Sequence, residues 1–194
     1  PAEADPSKAP EPNFQLEALV PVVRGEMRCR IHAHRSDDIM TAVKIAEEFH
    51  LDYTIEHCTE GYMIVDALKR HHVRATIGPY LWGPEKQELW NMSMENPGIL
   101  AQNGIDIALT ADDGSRTAYL PATIGLLLRR GLSEKASFEG VTIQPARTLQ
   151  LEDRIGSLEP GKDADIAIFD GNLFDSMSLC RLVMIDGEIY KNTL

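Results

Sequence analysis

Four times between Arg28 and Gly131 a short strand-like run gives way to a helical one, and this order constrains the fold more than any other feature of the chain. A strand that reaches its neighbour only by way of a helix pairs with it in parallel, and a parallel sheet needs covering on both faces. The first unit is the clearest. Arg28 to His34 alternates, with Cys29, Ile31 and Ala33 on one face and Arg30, His32 and His34 on the other. Ser36 and Asp37 can then cap a helix with the apolar stripe Ile39, Val43, Ala46 and Phe49. The second unit pairs strand Asp52 to Cys58 with a helix over Tyr62 to His71. The third runs from strand Val73 to Gly78, through a polar excursion from Leu81 to Asn96, to a helix ending near Asn103-Gly104. The fourth has strand Ile105 to Ala111 and a helix from about Leu120, with Pro121 suited to its first turn and Gly131 to its stop.

The flanks differ from this middle. Pro1, Pro6, Pro10 and Pro12, set among small and charged residues, neither nucleate a helix nor fill a core. Residues 1–13 therefore read as a Pro-rich loop or linker, in the manner of the middle of a longer protein, with a processed terminus as the other explanation. A helix follows from Phe14, with Leu16, Leu19, Val20 and Val23 at helical spacing up to Arg24-Gly25. After Ser133 a last helix is expected to about Leu149. The remainder is β in character: Ile155 to Leu158, Ala164 to Phe169, and Leu182 to Tyr190 around the hairpin signal Asp186-Gly187. The expected domains are 14–150 for the βα units and 151–194 for a C-terminal β segment.

With 43% hydrophobic residues the chain can build a core, and its net charge of -11 excludes the basic footprint that nucleic acid or an anionic membrane requires. No apolar run approaches the roughly 18 residues of a membrane span, and no leader resembles a signal peptide. Cys29, Cys58 and Cys180 are odd in number and lack metal-ligand spacing, so they read as reduced, buried residues of a cytoplasmic protein.

Chemistry in a parallel βα sheet gathers beyond the carboxyl ends of the strands. Here the first strand ends in His32-Ala33-His34, the second in Glu56-His57 and the fourth in Asp112-Asp113. Singly, a strand-end histidine is more often a hydrogen-bonded structural residue than a ligand. Recurring at successive strand ends, imidazoles and a carboxylate form a plausible divalent-metal site, with zinc as first candidate. His50, His71 and His72 fall at helix ends among charges, where solvated residues are expected. Asp113 reads as a loop residue. The loop bearing Trp82 and Trp90 reads as a substrate lid or, equally, as a surface loop pinned by its aromatics.

The run Gly156-Ser157-Leu158-Glu159-Pro160-Gly161-Lys162-Asp163-Ala164-Asp165, followed by an apolar strand and Ile185-Asp186-Gly187, resembles the closing signature of the amidohydrolase superfamily. Ile31-His32-Ala33-His34-Arg35 with Asp38-Ile39 is similar to the fifth-strand segment of its imidazolonepropionase-like members. Glu56-His57 resembles their sixth strand, Ala108 to Asp112 their eighth, and Thr142 with Pro145-Ala146 their Thr-x-x-Pro-Ala element. The resemblance extends from about residue 14 to the end. It implies an α/β fold: the C-terminal half, strands five to eight, of a TIM (βα)8 barrel, plus part of a small β-sandwich. It implies a metal-dependent amidohydrolase that cleaves a C–N bond of a small amide, cyclic amide or peptide-like substrate. His32 would be a metal ligand, and Asp112 both a ligand and the general base. His57 would bind a second metal or donate to substrate. His34, on the same face as His32, would sit near substrate or steady a ligand.

The family's first-strand His-x-His pair and fourth-strand ligand have no counterpart here. A half barrel leaves two strand edges and an interior to be covered. The expected partner is therefore an N-terminal barrel half, from the same parent chain or a separate polypeptide, or a second copy in a homo-oligomer. The alternative to an enzyme is a non-catalytic fragment or subunit that needs such a half to complete its site. A metabolite-binding module without chemistry leaves the convergence of His32, His57 and Asp112 unexplained.

Overall fold

The computed structural model describes residues 11–81, 83 and 85–194. Residues 1–10 of the proline-rich opening, and Trp82 of the third βα loop, lie outside the described residues. The helix expected from Phe14 is two short ones, α1 (Phe14–Glu17) and α2 (Val20–Val23). The Asn13 side chain caps the first, and Pro21 stands in the opening turn of the second, where a missing N–H costs nothing.

Four βα units follow as expected. They are β1 (Cys29–Ala33) with α3 (Ser36–Glu48), β2 (Tyr53–His57) with α4 (Val65–Arg70), β3 (Ala75–Ile77) with α5 (Asn96–Gln102), and β4 (Ile107–Leu109) with α6 (Leu120–Leu128). The strands form one parallel sheet in sequence order, with Ile31 opposite Ile55, Ile55 opposite Ala75, and Ala75 opposite Ile107. Their alternation sorts the two faces. Ile55, Ala75, Ile77, Ile107 and Leu109 join Ile39, Val43, Leu68, Leu100, Ile124 and Leu127 from the helices in one buried core. The opposite, concave face carries Arg30, His32, Thr54, Glu56 and Thr76. On it Glu56 accepts two bonds from Arg30, at 2.9 and 2.6 Å, and one each from the Thr54 and Thr76 hydroxyls. Burial works against the Glu56 carboxylate, but Arg30 and the two hydroxyls together hold it below its ordinary pKa.

The single helix expected after Ser133 is broken into α7 (Glu134–Val141) and α8 (Ile143–Thr148), both packed on β4. Thr142 takes φ -129 and ψ -90 at the break. Pro145 explains it: with no N–H to offer the Val141 carbonyl, it fits the first turn of a new helix and not the interior of a continuing one. Ile155 to Leu158, expected as a strand, forms bends. Gly156 sits at φ +90, so the extended run cannot form through it.

The chain ends in a separate antiparallel sheet, β5 (Ile166–Phe169), β6 (Cys180–Ile185) and β7 (Glu188–Asn192), in that order. Asp186 and Gly187 turn β6 into β7 with φ of 51 and 80, both positive as a two-residue hairpin turn demands. The fold is thus α/β, half of a βα barrel with a small β unit beside it. Cys58 is buried and burial pushes its thiol up to about 12, whereas Cys29 and Cys180 are only half-buried, less than the sequence suggests; all three are free. No described helix is long and apolar enough to cross a membrane.

Candidate functional site

The carboxyl ends of β1 and β2 bring three imidazoles together. His32, His34 and His57 each offer a ring nitrogen within 4.8 Å of the others. His32 lies 4.6 Å from His34 and 4.4 Å from His57 between ring centroids, both edge-on, while His34 and His57 stack at 4.5 Å. His32 is exposed on the concave face; His34 and His57 are buried. His34, expected near substrate or steadying a ligand, offers one of the three ring nitrogens of the cluster.

Two contacts behind the rings determine which nitrogens point inward. His57 donates from Nδ1 to the Gly78 carbonyl at 2.6 Å, which leaves the Nε2 lone pair facing the cluster. Gly78 holds this carbonyl at φ +129, where a side chain would meet the Thr110 carbonyl oxygen at 2.2 Å. His34 Nδ1 lies 2.7 Å from the Thr59 hydroxyl, and the Lys86 ammonium reaches its Nε2 at 3.3 Å. An ammonium only donates, so Nε2 accepts and Nδ1 carries the proton toward Thr59. Burial, then the positive neighbours His57 and Lys86, lower the His34 pKa to about 4. His32 is lowered by the same causes. His32 and His34 are therefore poised to present lone pairs at neutral pH.

Asp112 stands at the rim, half exposed, with Oδ2 4.0 Å from His57 Nε2. Its amide bonds the Thr110 hydroxyl and its φ is 55. His57 (φ 71) and Cys58 (φ 43) share this left-handed backbone, which concentrates strain at the strand ends where side chains are re-aimed. Asp113 caps its own turn through Ser115, as a loop residue does. His71 pairs with Glu47 on the helical surface, away from the cluster.

Two residues that sequence reasoning passed over approach the site from the β3–α5 loop. Lys86 and Glu88 pair at 2.6 Å, and Glu88 Oε1 lies 3.6 Å from His34 Nε2. Trp90 of this loop is 67% exposed, and Asn91 beside it donates to Glu60 at 2.8 Å and accepts from Tyr62. Glu60 in turn accepts from the Ser36 amide at the start of α3. The signal available in sequence was only that this loop leaves a strand at the sheet's functional end.

Parallel βα units with a histidine cluster at their carboxyl ends define a barrel-type scaffold with a candidate metal centre. Residues 24–190 match the family model described as the amidohydrolase family, and the chain belongs to that family. It is similar to adenine deaminase 2 of Jannaschia sp. (strain CCS1), 41% identical over 42% of this chain and 14% of that protein. It is also similar to the imidazolonepropionase of Geobacillus thermodenitrificans (strain NG80-2), 37% identical over 37% of this chain and 18% of that one. Among solved structures, an amidohydrolase from Thermotoga maritima MSB8 superposes with a TM-score of 0.89 at 37% identity, covering 98% of this chain and 50% of that chain. An adenosine deaminase from Xanthomonas campestris with bound zinc shares the fold, with a TM-score of 0.62 at 17% identity over 87% of this chain and 46% of that one. The chain spans half of the Thermotoga protein's length and 14% of the Jannaschia deaminase's.

Proposed function

We propose that this chain supplies strands five to eight of a metal-dependent hydrolase acting on a C–N bond of a small amide, cyclic amide or peptide-like substrate. The observation that carries this reading is the inward-facing trio of His32, His34 and His57, two of them with their tautomer set from behind. Neutral imidazoles aimed at one point suit a borderline divalent cation such as zinc. When bound, such a cation polarises a carbonyl and acidifies a water molecule.

The remaining roles fall to the chain's own side chains. In this reading Asp112, whose half-exposed carboxylate lies 4.0 Å from His57 Nε2, accepts a proton from the attacking water and returns it to the leaving nitrogen. The Gly78 carbonyl and the Thr59 hydroxyl keep His57 and His34 from rotating. Residues 14–150 form the barrel half in this reading, 151–194 the C-terminal β segment, and 1–13 the linker. The compartment is the cytoplasm, in keeping with three unpaired cysteines.

A second reading has its own support: the chain alone is a non-catalytic part that needs an N-terminal half. His32 and Arg30, on the sheet face opposite the core, are exposed, as expected of half a site. One experiment separates the two. Cyclic amides and dipeptides are offered to the zinc-loaded chain alone and with a polypeptide bearing the family's upstream strands. Hydrolysis that falls by about 100-fold or more in Asp112→Asn supports the enzyme reading, in either setting. Undiminished hydrolysis by metal-free protein would overturn it, and turnover confined to the two-part sample favours the second reading.

A further inference from the structure

The three histidines do not stand alone, because a lysine already holds one of the nitrogens a cation would need. His34 Nδ1 is committed to Thr59, so Nε2 is its inward nitrogen, and the Lys86 ammonium donates to that same atom at 3.3 Å. A divalent cation and an ammonium cannot share one lone pair, and at this range they repel. Glu88 balances the contact. Its carboxylate lies 2.6 Å from Lys86 and 3.6 Å from His34 Nε2, and both ionic partners are solvent-accessible enough to swing. The base of the loop is fixed, through Asn91 to Glu60 and through Tyr62 to the Asn91 carbonyl. Its tip is thus presented to His34 from an anchored stem.

We propose that Lys86 and Glu88 form a displaceable ion pair that sets the cation affinity of the histidine cluster. The ammonium competes for His34, and the carboxylate draws the cation in. This rests on the metal reading above and adds to it two residues from a loop that contributes none of the histidines. The entering cation expels Lys86 from Nε2. The freed ammonium, still tethered beside the site, then becomes a counter-charge for an anionic group on a molecule bound at the cluster.

The electrostatics give the proposal a sign. Removing only the lysine charge leaves an unbalanced carboxylate a few ångströms from the site, worth on the order of tenfold in affinity for a doubly charged ion in this half-exposed setting. Removing only the carboxylate leaves an unbalanced ammonium, with an effect of similar size in the other direction. Removing both restores near-parental affinity. A purely structural role for the pair would weaken binding in every variant.

The test is calorimetric titration of zinc chloride into the full 194-residue chain and into Lys86→Met, Glu88→Gln and the double variant, with Lys86→Gln as a second substitution. The proposal expects tighter binding in Lys86→Met and Lys86→Gln, weaker binding in Glu88→Gln, and the double variant near the parent. It is overturned if the lysine variants bind zinc no tighter than the parent, or if all variants shift the same way. The underlying metal reading fails separately: a parent in which His57→Gln leaves zinc binding unchanged has no histidine site. Zinc bound by Lys86→Met but not by the parent is the strongest form of the expected result.

Discussion

The βα units and the terminal β5–β7 sheet are both regular, yet they bury their apolar residues to very different degrees. In the first, every strand is backed by a helix from the same unit, and Ile39, Ile55, Leu68 and Leu100 are 0% exposed. In the second, each residue of β7 is exposed, and Ile168, Ile185, Ile189 and Tyr190 present 39–65% of their surface. A sheet needs a partner layer for its apolar face, and among the described residues β7 has none. Phe14, Leu16 and Val23 at the other end of the chain are likewise open, and a cleft of about 770 Å³ bordered by Phe138, Leu158, Ile166 and Phe169 lies against β5. The contrast teaches that one region buries its apolar residues against its own sequence neighbours, while the other leaves them exposed among the described residues, which suits a layer supplied from elsewhere. An N-terminal half of the same enzyme is our proposed source.

The largest expected effect tests that contrast directly. Leu100→Ala removes a fully buried side chain and should cost about 2–5 kcal/mol in urea unfolding, whereas Ile189→Ala in β7 should stay within about 0.5 kcal/mol. Equal costs would mean that β7 is buried after all. Two glycines sharpen the comparison at intermediate size. Gly78→Ala forces a carbon to 2.2 Å from the Thr110 carbonyl and should cost about 1–3 kcal/mol while disordering His57. Gly187→Ala, whose nearest neighbour would be 4.0 Å away, pays only for its left-handed backbone and should cost about 1 kcal/mol with the histidine cluster intact. Histidine chemical shifts in both variants would tell them apart.

The last prediction concerns pH. Burial lowers His34 to about 4, below the roughly 6.5 of an unfolded histidine. Between these values the unfolded chain binds more protons than the folded one, so metal-free stability falls as pH drops through that window and is constant, as far as His34 is concerned, above it. The β5–β7 segment contains no histidine. Protection factors for amide exchange, corrected for the intrinsic rate at each pH, should therefore fall around β1 and β2 between pH 7 and 5, beyond the change seen in β5–β7, and His34→Gln should reduce the difference.

Much of this was legible in the sequence, for identifiable reasons. Period-two alternation placed His32 and Glu56 on one face and Ile31 and Ile55 on the other, and chain order alone made the sheet parallel. That His32 and His57 approach one another followed from strand ends meeting at one edge, whereas the sequence left open whether His34 sits near substrate or steadies a ligand, and the cluster brings its ring in beside them. Local pattern could not show the break at Thr142, where Pro145 overrides a continuous helical stripe, nor the bend at Gly156. It also missed Lys86 and Glu88. Their approach depends on the hydrogen bond from Asn91 to Glu60, a contact across 31 residues that no periodicity encodes.

The central claim is that three imidazoles from two adjacent strand ends hold one cation. X-ray absorption of the zinc-loaded chain measures this most directly. The account predicts nitrogen scatterers at about 2.0–2.1 Å with imidazole multiple scattering, reduced stepwise in His32→Gln, His34→Gln and His57→Gln. An oxygen-only shell, or an imidazole signal untouched by these substitutions, would contradict it.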